Sequence, residues 1–476
     1  MKKSKIMKAL IVTICLGIIV TLSLFGCKTT SAVETTAAAV ETTAAAVETT
    51  AAAGGLKVPT EDMTLSMWMQ DWPGGIAFVG AFNDAFTAKY PNIKIEWTLI
   101  GWTDLGQKII PAVIAGEEPD IMFGYGEWLL GQDVSQLFLK LTPDAFTKEE
   151  MANFIYPEAF QNVPPIMGSD GEVYGVGWRM GPDYDEITVN MDMAAAAGVD
   201  IAQIKTWDDV YAASKKMTQY NGDGTIKVSG ISLDNYWTTV QGYITMVRQL
   251  GGTPFDEATA TWNFNTPEGI EAIKMLDKFV EEKIWDPNSG SALDAFPKGL
   301  CASLFIGPWG TTYFWGTYPD LNIDLYLTPE VNNNAINLVP SIQMMSFSKR
   351  LEGSKRDAVL LYASELIKPE FMEGYAKNDP GIGVILNKTF IENYKAGKYE
   401  GMWAKEREAL LVQRSVEEAD RFLPAIVPIP HKTTFDQWAQ IMTPEFQKVF
   451  IENGSYEDFV KNISDGMTKA EQEKAL

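Results

Sequence analysis

Apolar residues recur with two alternating periods at the start of the main body of this chain. Met63 to Trp68 is a short strand-like run, Asn92 to Leu99 alternates apolar and polar residues, and Asp120 to Phe123 is typical of a buried strand. Between them, Gly75 to Lys89 and Thr103 to Ala115 carry apolar residues at helical spacing. Strands separated by helices of this length pair in parallel, so the pattern predicts an α/β sheet.

The first 26 residues have the anatomy of an export signal. Four lysines lie within the first eight residues, and an apolar run from Ala9 to Phe25 follows them. The run ends in Gly26-Cys27, which resembles the lipobox of bacterial lipoproteins, where the cysteine thiol is acylated. The sequence therefore predicts a lipoprotein signal peptide over residues 1–26 and a lipid on Cys27. A simple membrane anchor is the alternative, because about 17 apolar residues are just long enough to span a bilayer.

A low-complexity stalk is predicted over residues 27–59. Val-Glu-Thr-Thr-Ala-Ala-Ala occurs three times in succession, at 33–39, 40–46 and 47–53. This seven-residue period also suggests a coiled coil, but three heptads are a marginal length and only the valines are strongly apolar. Without aromatic residues the segment buries too little apolar surface to offset the entropy lost on ordering. The pattern therefore favours a flexible stalk.

Composition and charge restrict the kinds of molecule that the body of the chain, residues 60–476, is expected to bind. The chain is 46% hydrophobic and 11% aromatic, and its body is long enough for two lobes with substantial cores. The net charge is −23, and loss of the four signal lysines makes it four units more negative. Such an acidic chain disfavours nucleic acid and anionic membranes as partner surfaces.

Cysteine and histidine are too scarce for most catalytic or metal sites. Cys301 is the one cysteine of the body and lies in an apolar, strand-like run, which predicts an inert buried thiol and no disulfide. His431 is the single histidine, which leaves at most one imidazole for a triad or a metal site. It lies in a loop, where it either contacts a ligand or has a structural role. No metal or organic cofactor is expected.

Polar and aromatic residues directly follow two of the predicted strands. Met69-Gln70-Asp71-Trp72 follows the first strand, and Gly124-Tyr125-Gly126-Glu127-Trp128 follows the third. In open α/β sheets, ligands bind beyond the carboxyl ends of the strands. This coincidence predicts a ligand site at that edge of the sheet.

Six short motifs occur in an order that resembles one known family. They are Lys89–Ile95, Ala115–Ile121 with its Pro-Asp-Ile, Asp170–Val176 with its Tyr-Gly, Val189–Met193 leading to Ala197-Gly198, Thr206–Asp209, and Phe296–Gly299 leading to Gly307-Pro308-Trp309. Each motif is weak alone, but their order over most of the body is specific. By these motifs the chain resembles the family 1 extracellular solute-binding proteins of bacterial ABC importers, the group of maltose- and oligosaccharide-binding proteins.

The resemblance implies an α/β, two-lobed periplasmic-binding-protein-like (type II) fold with a multi-strand hinge and a ligand cleft between the lobes. It implies an N-terminal lobe of residues 60–182 plus 338–390 and a C-terminal lobe of 183–337 plus 391–476. It also implies a monomeric binding protein, not an enzyme, that works with ABC permease subunits on the outward side of a membrane. No cofactor follows from the resemblance.

A carbohydrate is the ligand that the strand-end chemistry favours. A pyranose has apolar C–H faces and a rim of hydroxyls, so its site needs flat aromatic side chains beside amides, carboxylates or guanidinium groups. The tryptophans and tyrosines are expected to stack on the sugar, and the polar residues to bind its hydroxyls. From residues and resemblance together, the predicted ligand-binding residues are Gln70, Asp71, Trp72, Tyr125, Glu127, Trp128, Trp178, Arg179, Tyr184, Tyr236, Trp237 and Trp309.

Neighbouring residues are predicted to be structural, and other functions stay open. Asp120 is expected to brace a turn and Trp207 to pack at the start of a helix. A glycoside hydrolase would also place carboxylates beside aromatic rings, although Asp71 and Glu127 have no spacing that marks an acid and a nucleophile. A binding protein for a polyol phosphate or a polyamine, or a lipoprotein that senses a sugar for a membrane partner, would carry similar residues.

Overall fold

The structure, a computed structural model, describes residues 56–129, 131–154, 166–182, 186–233, 236–306, 308–326, 329–332, 334, 340–378, 384–385, 388–401, 429 and 431–475. The predicted signal peptide, the lipid site Cys27 and the repeats of the stalk lie outside these residues. Within the described part of the chain, no helix combines the length and the apolar character that a membrane crossing requires.

The strands of the described residues are β1 Met63–Gln70, β2 Ile93–Ile100, β3 Ile121–Tyr125, β4 Gly175–Pro182, β5 Ile187–Asn190, β6 Gln219–Tyr220, β7 Ile226–Val228, β8 Phe255–Asp256, β9 Thr261–Trp262, β10 Ser303–Phe305, β11 Ile323–Tyr326, β12 Pro340–Phe347 and β13 Val384–Ile385.

The helices of the same residues are α1 Pro73–Lys89, α2 Trp102–Ala115, α3 Val134–Leu137, α4 Lys148–Phe154, α5 Met191–Ala196, α6 Trp207–Met217, α7 Tyr236–Gln249, α8 Pro267–Glu281, α9 Ala292–Ala295, α10 Pro308–Thr317, α11 Gly353–Leu366, α12 Pro369–Asn378, α13 Lys388–Lys395, α14 Phe435–Glu452 and α15 Tyr456–Ala475. Short 3-10 turns occur at Gly126–Leu129, Ile201–Gln203 and Phe296–Lys298.

The strand and helix alternation predicted for the start of the body is confirmed. Strands β1, β2 and β3 and helices α1 and α2 occur where the hydrophobic periods place them, with ends that differ by one or two residues from the prediction. Pro73 at the first position of α1 and the left-handed Gly116 after α2 fix the start of one helix and the end of the other.

The larger sheet has the strand order β13-β4-β12-β3-β1-β2. Strand β1 pairs in parallel with both β2 and β3, whereas β12 runs antiparallel to β3 and β4. The carboxyl ends of β1 and β3 therefore lie at one edge of the sheet, beside the first half of β12. This edge carries the predicted ligand residues of the first strands.

The first hydrophobic core covers this sheet with α1, α2, α11 and α12. Phe78, Phe123, Trp178 and Tyr362 are among its fully buried side chains. The buried residues of this core come from two parts of the chain, one from Leu65 to Trp178 and one from Ile342 to Tyr399. The lobe boundaries given above stay predictions.

The second hydrophobic core lies around the antiparallel sheet β10-β5-β11 and the helices α6, α7, α8, α14 and α15. Trp207, Tyr243 and Trp438 are buried in it. A smaller cluster next to it contains Phe296 and Cys301, and the thiol is 2% exposed, as the apolar run around it predicts.

Side-chain hydrogen bonds to the backbone stabilise the second core at helices α14 and α15. The N–H of Trp262 donates to Oγ1 of Thr468 at 2.9 Å, and the N–H of Phe264 donates to Oγ of Ser464 at 2.8 Å. Helix α14 begins with a capping box, in which Thr434 and Gln437 each bond the backbone N–H of the other. Two hydroxyls of α15 thus complete the hydrogen bonds of a distant part of the chain.

Candidate functional site

The ends of β1 and β3 meet the middle of β12 at one edge of the larger sheet. Gln70 is the last residue of β1, Tyr125 is the last residue of β3, and Gln343 of β12 is the Cα partner of Tyr125. Parallel pairing of β1 with β3 brings the first two residues to the same edge. The predicted strand-end site therefore has a third contributor, from a strand more than two hundred residues away.

Two hydrogen bonds join these three side chains in a row. The hydroxyl of Tyr125 donates to Oε1 of Gln70 at 2.7 Å, and Nε2 of Gln343 donates to the Tyr125 oxygen at 3.1 Å. Gln343 is 1% exposed and Tyr125 is 7% exposed, whereas Gln70 is half-buried. Because buried polar groups depend on such partners, the row holds Gln70 in a defined position at the floor of the site.

Asp71 and Trp72 form the step from β1 into α1. The Asp71 side chain is exposed, and its N–H donates to the carbonyl oxygen of Ile100 at 2.8 Å. Trp72 is half-buried and precedes the first turn of α1. Gly75 leaves room for the indole, since a Cβ atom there would lie 2.6 Å from Cε3 of Trp72. A carboxylate and an aromatic ring thus directly follow Gln70.

Trp128 packs beside Tyr125 at the same edge. Its ring centroid lies 4.9 Å from that of Tyr125 and 5.6 Å from that of Trp102. Gly106 of α2 makes this position available, because a Cβ atom there would lie 2.9 Å from Cε2 of Trp128. The indole Nε1 is buried and has no hydrogen-bond partner among the described residues. Since the side chain is half-buried, part of the ring stays open for stacking.

Glu127 lies in the 3-10 turn that follows β3, and its side chain is buried. It is 3% exposed in this conformation. A ligand hydroxyl would reach this carboxylate only after the surrounding residues move. Its role as a polar ligand contact stays a prediction.

Trp178 is a core residue, and the stacking role expected of it is corrected to a packing role. The indole is 0% exposed, and its ring centroid lies 5.9 Å from Phe78, 5.9 Å from Phe123 and 5.5 Å from Phe371. Trp178 lies where the register between β4 and β12 shifts, on the side of the sheet that α1 and α12 cover. An indole enclosed by three rings has no face left for a sugar.

Four other predicted residues are placed only in part or not at all. Arg179 is the Cα partner of Gln343 in the pairing of β4 with β12, so its backbone lies one strand away from the row of hydrogen bonds. Tyr236 and Trp237 begin helix α7. Tyr184 lies outside the described residues. The ligand-binding roles of these four side chains stay predictions.

Trp309 lies in the first turn of α10, and this helix approaches α1. Some Cα atoms of the two helices are within 8 Å of each other, although α1 packs in the first core and α10 in the smaller cluster around Phe296. Trp309 is half-buried and packs against the cluster that contains Phe296 and Phe314. The hydroxyl groups of Thr188 and Thr311 lie 2.8 Å apart and tie α10 to β5. Helix α10 thus brings a partly open indole toward the side of the molecule that carries α1.

Two residues of this edge were missed by sequence reasoning. Trp102 directly follows the carboxyl end of β2, and the strand-end rule applied to that strand would have found it. Gln343 interrupts an apolar strand as a buried amide, which is a signal of a polar role, but its partner Tyr125 is distant in sequence. Only the strand register brings the two together.

Three residues weighed against a ligand role are structural. Asp120 accepts hydrogen bonds from Ser66 and braces β1 against the start of β3, as predicted. Trp207 is 5% exposed and packs against Phe305 at 5.4 Å between ring centroids, as predicted. His431 is buried between Trp262 and Trp438.

One groove of the described surface is lined by none of the predicted ligand residues. A groove of about 540 Å³ lies between α6 and α8 and is lined by Tyr211, Lys278 and acidic residues. Nζ of Lys278 lies 3.7 Å from the ring centroid of Tyr211, and Glu282 pairs with Lys215 at 2.6 Å. Among the described residues, no three histidine, cysteine, aspartate or glutamate side chains are grouped as a metal site requires.

The chain is similar to several curated proteins and solved structures. An uncharacterised ABC transporter extracellular-binding protein of Pyrococcus horikoshii is 25% identical over 58% of this chain and 68% of its own length. An arabinooligosaccharide-binding protein of Bacillus subtilis is 23% identical over 51% of this chain, which spans about half of that relative, 54%. A Mycobacterium tuberculosis protein, UgpB, solved with glycerophosphocholine, has a TM-score of 0.68 at 13% identity and covers 87% of this chain and 100% of its own.

The fold and the family follow from these matches. The solved structures share the α/β periplasmic-binding-protein fold over most of this chain, which confirms the predicted fold class. The family model described as bacterial extracellular solute-binding protein matches residues 72–343, more than half of the chain. The chain is therefore a member of the bacterial extracellular solute-binding proteins, an exported family that binds solutes and is not enzymatic.

Proposed function

We propose that this protein captures a sugar or short oligosaccharide between its two lobes and delivers it to an ABC permease. The observation that carries the proposal is the sheet edge where the amide of Gln70 lies beside the exposed carboxylate of Asp71 and the half-buried indoles of Trp72 and Trp128. Amide and carboxylate groups bind hydroxyls, and indole faces stack on the C–H faces of a sugar ring. Trp309 on the neighbouring helix α10 supplies a further ring.

The named relatives support a sugar but also define the main competitor. The Bacillus subtilis relative is an arabinooligosaccharide-binding protein, whereas the Mycobacterium tuberculosis structure holds glycerophosphocholine. The choline group of that solute would fit a carboxylate and indole faces as a sugar does. Its phosphodiester would need cationic partners, and none of Gln70, Asp71, Trp72 and Trp128 supplies one. This chemistry favours the sugar.

A panel of solutes tests the proposal by thermal shift and calorimetry. A ligand that binds only the folded protein stabilises it by about 2.7 kcal/mol when its concentration is 100 times Kd. We expect arabino- or malto-oligosaccharides to raise the melting temperature of the full chain. A shift with glycerophosphocholine or a polyamine, and with no sugar, would refute the carbohydrate assignment.

Trp309→Ala probes the part of the site on α10. Loss of a stacked indole should weaken binding of the sugar found in the panel about tenfold or more, with the fold retained. Tyr318→Ala is the matched control, because Tyr318 is an aromatic residue directly after the same helix and is 38% exposed. Equal affinities of wild type and Trp309→Ala would remove Trp309 from the site.

Lipid attachment at Cys27 is the part of the proposal that concerns location. The lipobox-like Leu-Phe-Gly-Cys carries it, together with the repeats that follow. Metabolic labelling with a radioactive fatty acid should mark the wild-type protein and leave Cys27→Ser unlabelled and released from the membrane. Labelling that persists in Cys27→Ser would show that the lipid is attached to another residue.

A further inference from the structure

The direction of the hydrogen bonds at the sheet edge determines which end of the Gln70 amide faces the ligand site. A tyrosine hydroxyl has one proton to donate. Nε2 of Gln343 donates to the Tyr125 oxygen at 3.1 Å, so the proton of Tyr125 goes to Oε1 of Gln70 at 2.7 Å. With its oxygen occupied, Gln70 keeps both N–H groups of Nε2 for another acceptor.

The reverse direction leaves a costlier polar group of Gln343 without a partner. If Tyr125 donated to Oε1 of Gln343, the amide nitrogen of Gln343 would replace its oxygen as the unpartnered atom. In the observed direction Oε1 of Gln343 is the one atom of the three side chains in the row that is buried without a hydrogen-bond partner among the described residues. A carbonyl oxygen that lacks one acceptor bond costs less than a buried NH2 group with two unused donors. The burial of Gln343 at 1% exposure therefore fixes the direction of the whole row.

We infer that Gln343 is a positioning residue that acts through Tyr125 and makes Gln70 a hydrogen-bond donor to the bound solute. The inference rests on the proposed solute site at this edge. The site then requires an acceptor oxygen of the solute opposite Gln70, such as a sugar hydroxyl or ring oxygen. A solute that offers only an N–H group at this point is rejected, because two donors would face each other.

A measurement without ligand tests the row itself. In the full chain labelled with 15N-glutamine, the side-chain NH2 of Gln70 should show a high heteronuclear NOE, as a held amide does. Tyr125→Phe removes the partner of Gln70 and should lower this NOE to the value of a freely rotating amide. Gln343→Met leaves the Tyr125 hydroxyl free to donate to Gln70 or to accept from it, so it should lower the NOE part of the way, and the double variant should match Tyr125→Phe.

Ser346→Ala provides the matched control for changes in β12. Ser346 is a polar residue of the same strand, 4% exposed and outside the row. Its replacement should leave the NOE of Gln70 unchanged. A Gln70 amide that stays rigid in Gln343→Met and in Tyr125→Phe would overturn the inference, since its position would then not depend on the row.

A second measurement uses arabinotriose as the probe. Release of Gln70 should weaken arabinotriose binding about five- to tenfold in Gln343→Met, the size expected for one hydrogen bond, and leave Ser346→Ala at wild-type affinity. If arabinotriose binds Gln343→Met as it binds wild type although the NOE has dropped, Gln70 is not a donor to the solute and the inference fails. If no sugar binds the wild type, the proposed function fails, and the NOE still decides whether Gln343 positions Gln70.

Discussion

The carboxylate of Asp120 lies 2.8 Å from Nζ of Lys355, and the ion pair joins the start of β3 to helix α11. The same carboxylate accepts hydrogen bonds from the N–H of Ser66 at 2.7 Å and from its hydroxyl at 2.9 Å. Asp120 is 6% exposed, so these bonds replace the water that a carboxylate otherwise holds. One side chain thus joins β1, the start of β3 and α11, whereas the candidate site lies at the carboxyl ends of β1 and β3.

Asp120→Ala should therefore lower the free energy of unfolding by about 3 kcal/mol, because it leaves Ser66 and Lys355 without their partner. Urea denaturation at neutral pH measures the change. Asp465→Ala is the control, since Asp465 pairs with Lys461 at 2.6 Å but both side chains are largely exposed. The control should cost less than about 1 kcal/mol. Equal losses in the two variants would contradict the bracing role of Asp120.

Gly106→Ala should displace Trp128 without the gain in stability that such a change gives elsewhere. Alanine is favoured over glycine inside a helix by about 1 kcal/mol. At Gly106, however, the new methyl group would lie 2.9 Å from the indole of Trp128, so the ring must move. We expect a shift in tryptophan fluorescence and weaker binding of the sugar found in the panel.

Gly374→Ala is the matched control for this change. Gly374 lies inside α12, and no atom lies within 4 Å of a Cβ built there. This variant should gain up to about 1 kcal/mol in urea denaturation and keep its fluorescence and its affinity. A Gly106→Ala protein with the same gain and unchanged fluorescence would show that Trp128 is not held by this contact.

His431 should make the protein less stable in mild acid. Burial between Trp262 and Trp438 lowers the pKa of His431 from 6.5 to about 3, while its Nδ1 lies 2.8 Å from the carbonyl oxygen of Thr433. Between these pKa values the unfolded chain binds a proton that the folded chain excludes. The stabilisation is therefore complete above pH 6.5 and is lost as the pH falls toward 3, at about 1.4 kcal/mol per pH unit.

The pH dependence is measured by urea denaturation at pH 7 and pH 5. Relative to His431→Asn, which has no group titrating in this range, the wild type should lose about 2 kcal/mol more on going to pH 5. The carboxylates titrate in both proteins and cancel in the comparison. Parallel curves for the two proteins would mean that His431 takes up a proton in the folded state as easily as in the unfolded state.

Glu471→Ala should destabilise the second core. Its carboxylate accepts hydrogen bonds from the N–H groups of Lys432 and Thr433 at 2.6 and 3.1 Å and from the Thr433 hydroxyl at 2.9 Å, and the residue is 2% exposed. Removal leaves buried donors unpaired, at a cost of about 3 kcal/mol in urea denaturation. Glu473→Ala removes a carboxylate of the same helix that is 66% exposed and should have no measurable effect. A loss in the control as large as in Glu471→Ala would assign the effect to the helix and not to these bonds.

The sequence was a good guide to local structure and to the first half of the site. The strands β1, β2 and β3 were predicted because their hydrophobic periods are local. Gln70 and Tyr125 followed from the rule that ligands bind beyond strand ends. The hydrogen bond between them confirms that the two strand ends meet.

The rest depended on register and packing, which a single sequence does not contain. Trp178 was expected at the site because it follows the motif Asp170–Val176, but it lies where the register of β4 and β12 shifts and packs on rings of α1 and α12. Gln343 was missed because its partner Tyr125 is 218 residues away. A one-residue slip in the pairing of either strand with its neighbour would turn its side chains to the opposite face of the sheet.

The two hydroxyls of α15 that bond Trp262 and Phe264 also set the order in which the protein can finish folding. Thr468 and Ser464 are synthesised 206 and 200 residues after Trp262 and Phe264, so the second core lacks part of its structure until the ribosome has released α15. A chain cut after Glu452 should accordingly remain open to proteases within this core. For an exported protein this delay is useful, since a chain that completes its fold late stays unfolded long enough to be threaded across the membrane.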